Sequence, residues 1–310
     1  MARDQRWPEL HLSNWRTTRD TLHLWTQIAG KIRLVLTPRS NHWWNVPLYL
    51  SVRGLTTSPI PYRDGQFEME FDFTRHQLSI ATTWNGSRQI ALEPQSVAEF
   101  HRRTMQALHA LGIDVRIYTR PVEVPGAIPF PQDEQHHDYD PEYAQRFWRV
   151  LLSSTEVLHE FRCRYLGKVS PIHFFWGSFD LAVTRFSGRR APEIPNADAI
   201  TREAYSHEVS SAGFWPGGVS ATGLELGDAA FYVNMAPTPP GFGDQKVLPA
   251  QAFFDRNFGE FLLMYEDVRT SPAPERTLME FLQTTYAAGA NLAGWNREEL
   301  EVRSEAQHAA

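Results

Sequence analysis

Apolar and polar positions recur with two different periods along this chain, and each change of period marks an element. In "TTRDTLHLWTQIA", residues 17–29, Leu22, Trp25, Ile28 and Ala29 come round at helical spacing, and Gly30 offers a stop. "KIRLVLTP" then alternates as a strand does and ends at Pro38, and "VPLYLSVRGL" reads as a second strand. In "QFEMEFDF" the alternation is strict. Phe67, Met69, Phe71 and Phe73 take one face and Glu68, Glu70 and Asp72 the other, the pattern of a half-buried strand. "HQLSIATT" and "SRQIALEP" complete a meander through "WNGS", where Asn85-Gly86 suits a tight hairpin because both residues tolerate positive φ. Ser96 and Glu99 form a capping box for the next helix, which turns Val97, Phe100, Thr104, Leu108 and Leu111 inward and closes at Gly112. "IDVRIYT" reads as a further strand.

Composition shifts between Arg120 and Pro141. "RPVEVPGAIPFPQDEQHHDYDP" is rich in proline and ends in acidic residues and histidines, so residues 121–140 read as a linker. A long helix follows over about 141–166, with Pro141 at its start and Gly167 beyond its end. The second half then echoes the first. "LHLWTQIAGK" is matched by "LHEFRCRYLGK", and "HWWNVPLYLSVRG" by "HFFWGSFDLAVTRFSG". The helix from Ser96 is matched by "PAQAFFDRNFGEFLLMYEDV", read as a helix from Pro249. Partial matches in one order predict an internal duplication. The expected fold is α+β, with two similar units over residues 1–120 and 141–296, each an antiparallel sheet with helices packed on one face. Residues 187–220 have little periodicity and read as a loop inserted into the second unit, of a length that is commonly functional. The charged tail, 297–310, is expected to fray.

Composition narrows the class. The chain has 310 residues, 42% hydrophobic, with 19 Phe, 10 Trp and 10 Tyr, which a disordered chain would lack. Its net charge of −6 and the lack of a Lys/Arg cluster argue against a nucleic-acid partner. The single cysteine, Cys163, excludes an intrachain disulfide and a cysteine-based zinc cage; it reads as a small packed residue, with a reactive thiol as the alternative. The N-terminus lacks an apolar h-region, and no apolar run approaches the ~20 residues of a membrane span, so no membrane and a cytoplasmic location are expected.

Candidate chemistry gathers in "PIHFFWGSFDLAVTRFSG", residues 171–188. If "SFDLAVTRF" is a strand, Phe179, Leu181 and Val183 face one way and Asp180, Ala182 and Thr184 the other, which sets Asp180 to line a cleft. His173 and Trp176 stand upstream, and His42, Trp43, Trp44 and Asn45 hold the corresponding place in the first half. A twofold arrangement would bring both segments to one seam, where pockets form. The alternative is core packing. In "YSHEVSSAGFWPGG", His207 and Glu208 point apart on a regular element, whereas Glu203 shares a face with His207 if the segment is helical. A His–Glu pair suits a base and its orienter, or two ligands of a divalent metal, but tight metal spacing is lacking and no metal ligands are assigned. Phe214 and Trp215 serve equally to anchor a plain loop. Arg53 and Arg185 match in position and either pair with a carboxylate such as Asp180 or clamp an anionic substrate. Arg189 and Arg190 read as a rim, and "HHDYD" as solvated surface. No dinucleotide loop, P-loop, nucleophile elbow or kinase set is present.

Together "NHWWNVPLY", "GLTTSPIPY", "SPIHFFWGSFDLAVTRFSGRRAP" and "REAYSHEVSSAGFWPGG" resemble a bacterial family known as a domain of unknown function, over about residues 20–296. The resemblance implies a soluble full-length bacterial domain and assigns no role to any residue. From the residues themselves, the expected function is an enzyme acting on a small polar or aromatic molecule. Trp43, Trp44, Trp176 and Trp215 wall its cleft, His173 or His207 handles protons, Asp180 or Glu208 orients the histidine, and Arg185 holds substrate charge. Alternatives are a non-catalytic small-molecule binder, a metal- or haem-binding protein, or an assembly protein. No cofactor is assigned and the oligomeric state is open.

Overall fold

The first helix does not stop at Gly30. In the computed structural model, which describes residues 6–84 and 86–302, α1 runs from Arg16 to Leu36. Gly30 sits in mid-helix because the indole of Trp176 packs directly on it, where any Cβ would collide. The segment expected as the strand "KIRLVL" is therefore the second half of α1, and buried Trp25, Ile28, Ala29 and Ile32 continue one helical stripe across the glycine.

Short strands follow: β1 (Tyr49–Leu50), β2 (Gly54–Thr56), β3 (Ile60–Tyr62), β4 (Gly65–Asp72), β5 (Gln77–Thr82) and β6 (Ser87–Ala91). They form an antiparallel sheet in the order β1-β2-β4-β5-β6, with β3 also on β4. The expected strand "VPLYLSVRGL" is thus two strands, β1 and β2, around a turn. Phe67, Met69, Phe71 and Phe73 are buried as the alternation requires, each contributing roughly 2–3 kcal/mol of apolar burial. The β5–β6 hairpin forms where "WNGS" places it; Asn85 itself lies outside the described residues.

Helix α2 (Val97–Ala110) starts on Ser96, whose hydroxyl accepts from Glu99 N at 3.1 Å. "IDVRIYT" joins no sheet. Helix α3 (Pro141–Cys163) begins on Asp140, which accepts from Glu142 N and Tyr143 N. The proline-rich segment before it is packed, with Phe130, Asp133 and Tyr139 buried.

The second half holds β7 (His173–Phe175), β8 (Asp180–Arg190), α4 (Ala199–Ala204), β9 (His207–Trp215), a small pair β10 (Gly218–Val219) and β11 (Glu225–Leu226), β12 (Ala230–Ala236), β13 (Phe253–Asp255) and β14 (Glu260–Met264). Helices α5 (Tyr265–Thr270), α6 (Pro274–Leu292) and α7 (Arg297–Leu300) close the described chain. The sheet order is β7-β8-β9-β12-β14-β13, antiparallel throughout. Two expectations change here. Part of the segment read as an inserted loop, residues 207–215, is the central strand β9; its alternation was hidden because Ser211 and Gly213 are small rather than charged. The helix expected from Pro249 is a hairpin, because Asp255 accepts from Asn257 N and Phe258 N and Gly259 turns at φ 74°.

The fold is α+β, with α1 and α2 packed on the first sheet and α3 and α6 on the second. Both halves run helix, antiparallel meander, helix, but the internal duplication is not confirmed. Gly30-Lys31 lies inside α1 while Gly167-Lys168 lies past the end of α3, and α2 is matched against the β13–β14 hairpin. The two sheets meet edge to edge where Leu48 and Phe174 exchange N–H···O bonds of 2.9 Å.

Candidate functional site

The second sheet has two unlike faces. Leu181, Val183, Ala212, Phe214, Phe231, Val233, Phe261 and Leu263 are buried on one face, the one packed against helices. The other carries Asp180, Ala182 and Thr184 on β8, Ser211 and Gly213 on β9, Tyr232 and Asn234 on β12, and Glu260 on β14. This second face is small and polar, and most of it is partly exposed. His173 belongs to it too, because His173 pairs with Ala182 and Ala182 with Gly213. His42 and Trp44 approach the same face, His42 against Phe186 and His207 and Trp44 against His173.

One end of this face is acidic. Asp180 follows a strained turn in which Phe179 has φ 63°. Its two carboxylate oxygens accept from Ser178 Oγ and Tyr232 Oη. Tyr232 reaches across β9 because position 213 is glycine; a Cβ there would meet the Tyr232 hydroxyl at 2.5 Å. Trp215 Nε1 donates to Ser178 O at 3.0 Å and steadies the same turn. Glu123 lies against Gly177, where a Cβ would meet its Oε1 at 2.5 Å. Glu260 accepts from Asn234 Nδ2 at 3.1 Å.

Burial pushes Asp180 upward, against the pull of its two hydroxyl partners. Desolvation, then Asp180 and Asp198, push Glu123 up to about 7. Desolvation, with Asp180 and Asp255 adding repulsion, pushes Glu260 up to about 7. Glu123 is solvent-exposed and Tyr205 is 38% exposed, yet desolvation is the largest cause of the rise at each. Among the described residues, neither Asp180, Glu123 nor Glu260 has a Lys or Arg partner within 4.0 Å.

A buried polar stripe on α1 holds this end in place. Arg19, His23, Gln27 and Lys31 recur every four residues and are each at most 5% exposed. Gln27 clamps the Val122 backbone at both ends, accepting from its N–H and donating to its carbonyl, both at 2.9 Å. His23 Nε2 donates to Gly177 O at 2.8 Å, and Lys31 donates to Arg120 O at 2.8 Å. The loops carrying Glu123 and Asp180 are thus fixed from the first half of the chain. Strain is found at both ends of the face: Glu123 (φ 56°) and Phe179 (φ 63°) at the acidic end, His42 (φ 54°) and Trp43 (φ 58°) at the other, at ~1–3 kcal/mol each.

The other end is basic. The ring of His42 is buried, its Nδ1 donates to Glu203 O at 3.0 Å, and its Nε2 accepts from Lys168 Nζ at 2.6 Å. Burial and then Lys168 hold His42 below the usual imidazole range, which agrees with a neutral ring accepting from an ammonium. Lys168 lies over the Phe186 ring at 4.9 Å and the Trp44 ring at 5.3 Å. The His207 ring is edge-on to His42 at 5.9 Å. Glu203 also accepts from His42 N and pairs with Arg39, so α4 is fastened onto the 41–43 turn. Arg39 in turn covers the Trp43 ring at 4.6 Å.

His173 lies between the two ends, sealed rather than exposed. It is 0% exposed, boxed edge-on by Trp44, Tyr49 and Phe175, and neither ring nitrogen has a hydrogen-bond partner. Desolvation, then Arg33, hold its pKa down at about 3, which keeps the ring neutral at physiological pH. Other expected residues lie away from this face. Trp176 fills the seam against Gly30 and donates to Val46 O at 2.9 Å. Asn45 ties Ser40 N to Thr37 Oγ1. Arg53 pairs with Glu70 and Asp72 on the first sheet. Arg185 is five residues from Asp180 and faces the opposite way, caged at 0% exposure by Phe161, Tyr165 and Tyr286. Glu208 points away from His207 and pairs with Arg189.

Glu123, Lys168, Tyr205, Tyr232 and Glu260 were missed in the sequence. The four-residue spacing of Arg19, His23, Gln27 and Lys31 was visible and would have flagged a polar stripe on a buried helix. Hollows of about 390 Å³ beside Glu142 and Arg146, and about 280 Å³ beside Tyr49 and His159, lie elsewhere. Among the described residues, no group of three or more His, Cys, Asp or Glu side chains is placed to hold a metal ion, and no helix is long and apolar enough to cross a membrane.

Fold and site together define an α+β protein with a half-covered polar sheet face. The chain matches the family described as "Family of unknown function (DUF5996)" over residues 7–302, and it belongs to that family. No curated protein and no solved structure matches it.

Proposed function

We propose that the acidic end of this sheet face binds a small organic cation, an amine or guanidinium on an apolar or aromatic body. The observation that carries this reading is the unpaired acidity: Asp180 stands near enough to Glu123 and to Glu260 to repel both, and among the described residues none of the three has a Lys or Arg partner within 4.0 Å. A bound cation would supply the missing partner, and Tyr205 and Trp215 offer ring surface for its body. Glu123 and Glu260, poised near neutrality, suit proton transfer in an enzyme that takes a proton from, or returns it to, such a ligand. A non-catalytic binder is the second reading, favoured by Asp180, whose oxygens are both engaged by hydroxyl donors.

Calorimetric titration with a panel of aliphatic and aromatic amines tests the proposal. Binding should release protons near pH 6, since the cation favours ionised carboxylates, and Glu260→Gln should weaken it about ten-fold. Amine affinities that are unmeasurable, or unchanged in both Glu123→Gln and Glu260→Gln, sink it. An enzyme would lose turnover in Glu260→Gln far more than affinity, and a binder would lose affinity alone.

A further inference from the structure

We propose that Lys168, His207 and Arg190, at the opposite end of the same face, form a site for the oxyanion of a small ligand, a phosphate monoester or a carboxylate. This stands independently of the acidic end. Asp180 and Phe186 are six residues apart on β8, roughly 20 Å along an extended strand.

Proton bookkeeping shows what the site lacks. The hydroxyl of Ser206 donates to Glu203 O at 2.8 Å, so towards His207 Nδ1, at 3.1 Å, it has only a lone pair to offer. His207 therefore carries its proton on Nδ1 when neutral and presents Nε2. His42 Nε2 is taken up by one N–H of Lys168, which leaves two ammonium protons for another acceptor. Among the described residues, Lys168, His207 and Arg190 have no carboxylate partner, and Lys168 and Arg190 are exposed.

The nearby acids are committed elsewhere, Glu203 to Arg39 and the His42 amide, Glu208 to Arg189. Arg190 pairs in register with His207, so both project from the same rung. Burial, Arg190 and Lys168 all hold His207 below its usual range. An oxyanion would offset these cations and draw a proton onto Nε2, giving a dianion three charged donors.

The test is titration of the full chain with inorganic phosphate and, separately, acetate, followed by calorimetry and by the histidine NMR resonances. Saturable binding with proton uptake and an upward move of the His207 titration midpoint is expected. Lys168→Gln should weaken binding at least ten-fold, and His207→Asn should abolish the proton uptake. Tighter phosphate binding identifies a phosphoryl ligand, and equal or tighter acetate binding a carboxylate. Arg189→Gln, which removes a neighbouring charge engaged by Glu208, should bind as the native protein does. No saturable binding of either anion tighter than ~10 mM, or equal losses in Arg189→Gln and Lys168→Gln, overturns the proposal. The wild-type NMR titration decides it even if a variant fails to fold. Amines should leave His207 unmoved, so the two sites succeed or fail separately.

Discussion

Glu260→Gln is the sharpest perturbation, because it changes one charge and keeps the shape. The native carboxyl is partly exposed on β14, held by Asn234 at 3.1 Å, and raised from 4.5 to about 7 by burial and its acidic neighbours. A carboxyl whose folded pKa lies above its unfolded value keeps its proton longer in the folded chain. As pH rises through 4.5, the unfolded chain ionises first, and folded stability falls until the folded group ionises near 7. At 1.36 kcal/mol per pH unit the penalty approaches ~3 kcal/mol, an upper figure for a group that keeps some solvent. Glutamine accepts the same Asn234 hydrogen bond and removes the penalty. The variant should match the wild type at about pH 4 and exceed it by ~2–3 kcal/mol at about pH 8. Urea unfolding at five or six pH values measures this directly. A difference that is flat with pH, or a variant weaker at pH 8, refutes the claim that an unpaired acidic cluster is held together here.

Gly213→Ala places a methyl against Leu181 O and the Tyr232 ring, and should cost ~1–3 kcal/mol in denaturant unfolding; a loss below ~0.5 kcal/mol would show that Tyr232 does not need the glycine to reach Asp180. Gln27→Leu removes both partners of the part-buried Val122 backbone, should cost ~1–2 kcal/mol, and should speed hydrogen exchange at Val122; unaltered protection there contradicts the clamp. His173→Leu removes two unpartnered ring nitrogens and should leave stability at pH 7 equal or higher. Because the folded His173 is held at about 3, the wild type loses stability as pH falls from about 6.5 towards 3, and the variant should lose less over that window; identical acid profiles would argue against a sealed, neutral ring.

The fold was legible where side chains are large and of one kind. The Phe67–Phe73 alternation, the Ser96 cap and the Pro141 start all fall where the pattern puts them. It was illegible where a glycine serves packing instead of ending an element. Gly30 ended a helix on paper and admits an indole in the structure. β9 was hidden for a related reason, since an alternation of Ser, Ala and Gly carries almost no hydrophobic contrast. Of the candidate site residues, Asp180, His207 and Trp215 lie on β8 and β9, and His42 and Trp44 pack over the same sheet. Arg185 lies on the face opposite Asp180, which the alternation of Asp180, Ala182 and Thr184 already implies, whereas the place of Trp176 in the seam depends on tertiary packing that the sequence does not display. Glu123 could not be read at all, as its position rests on a clamp from a helix 95 residues earlier.

That clamp bears on how the two halves divide the work. The floor comes entirely from the second half: β8 supplies Asp180, β9 Ser211 and Gly213, β12 Tyr232 and Asn234, and β14 Glu260. The cover comes largely from the first, through Trp44, Tyr49 and His42, and through the α1 residues that fix Val122 and Gly177. The Leu48–Phe174 bridge sets the distance between them, since it joins the edge strand carrying Tyr49 to the edge strand carrying His173. A second half folded alone would uncover His173, since Trp44 and Tyr49 come from the first half. Charged and aromatic groups on a small-residue floor are thus organised by contacts between halves, and His23, Gln27 and Lys31 on the buried stripe are polar because their partners are backbone carbonyls and amides of the loops they hold.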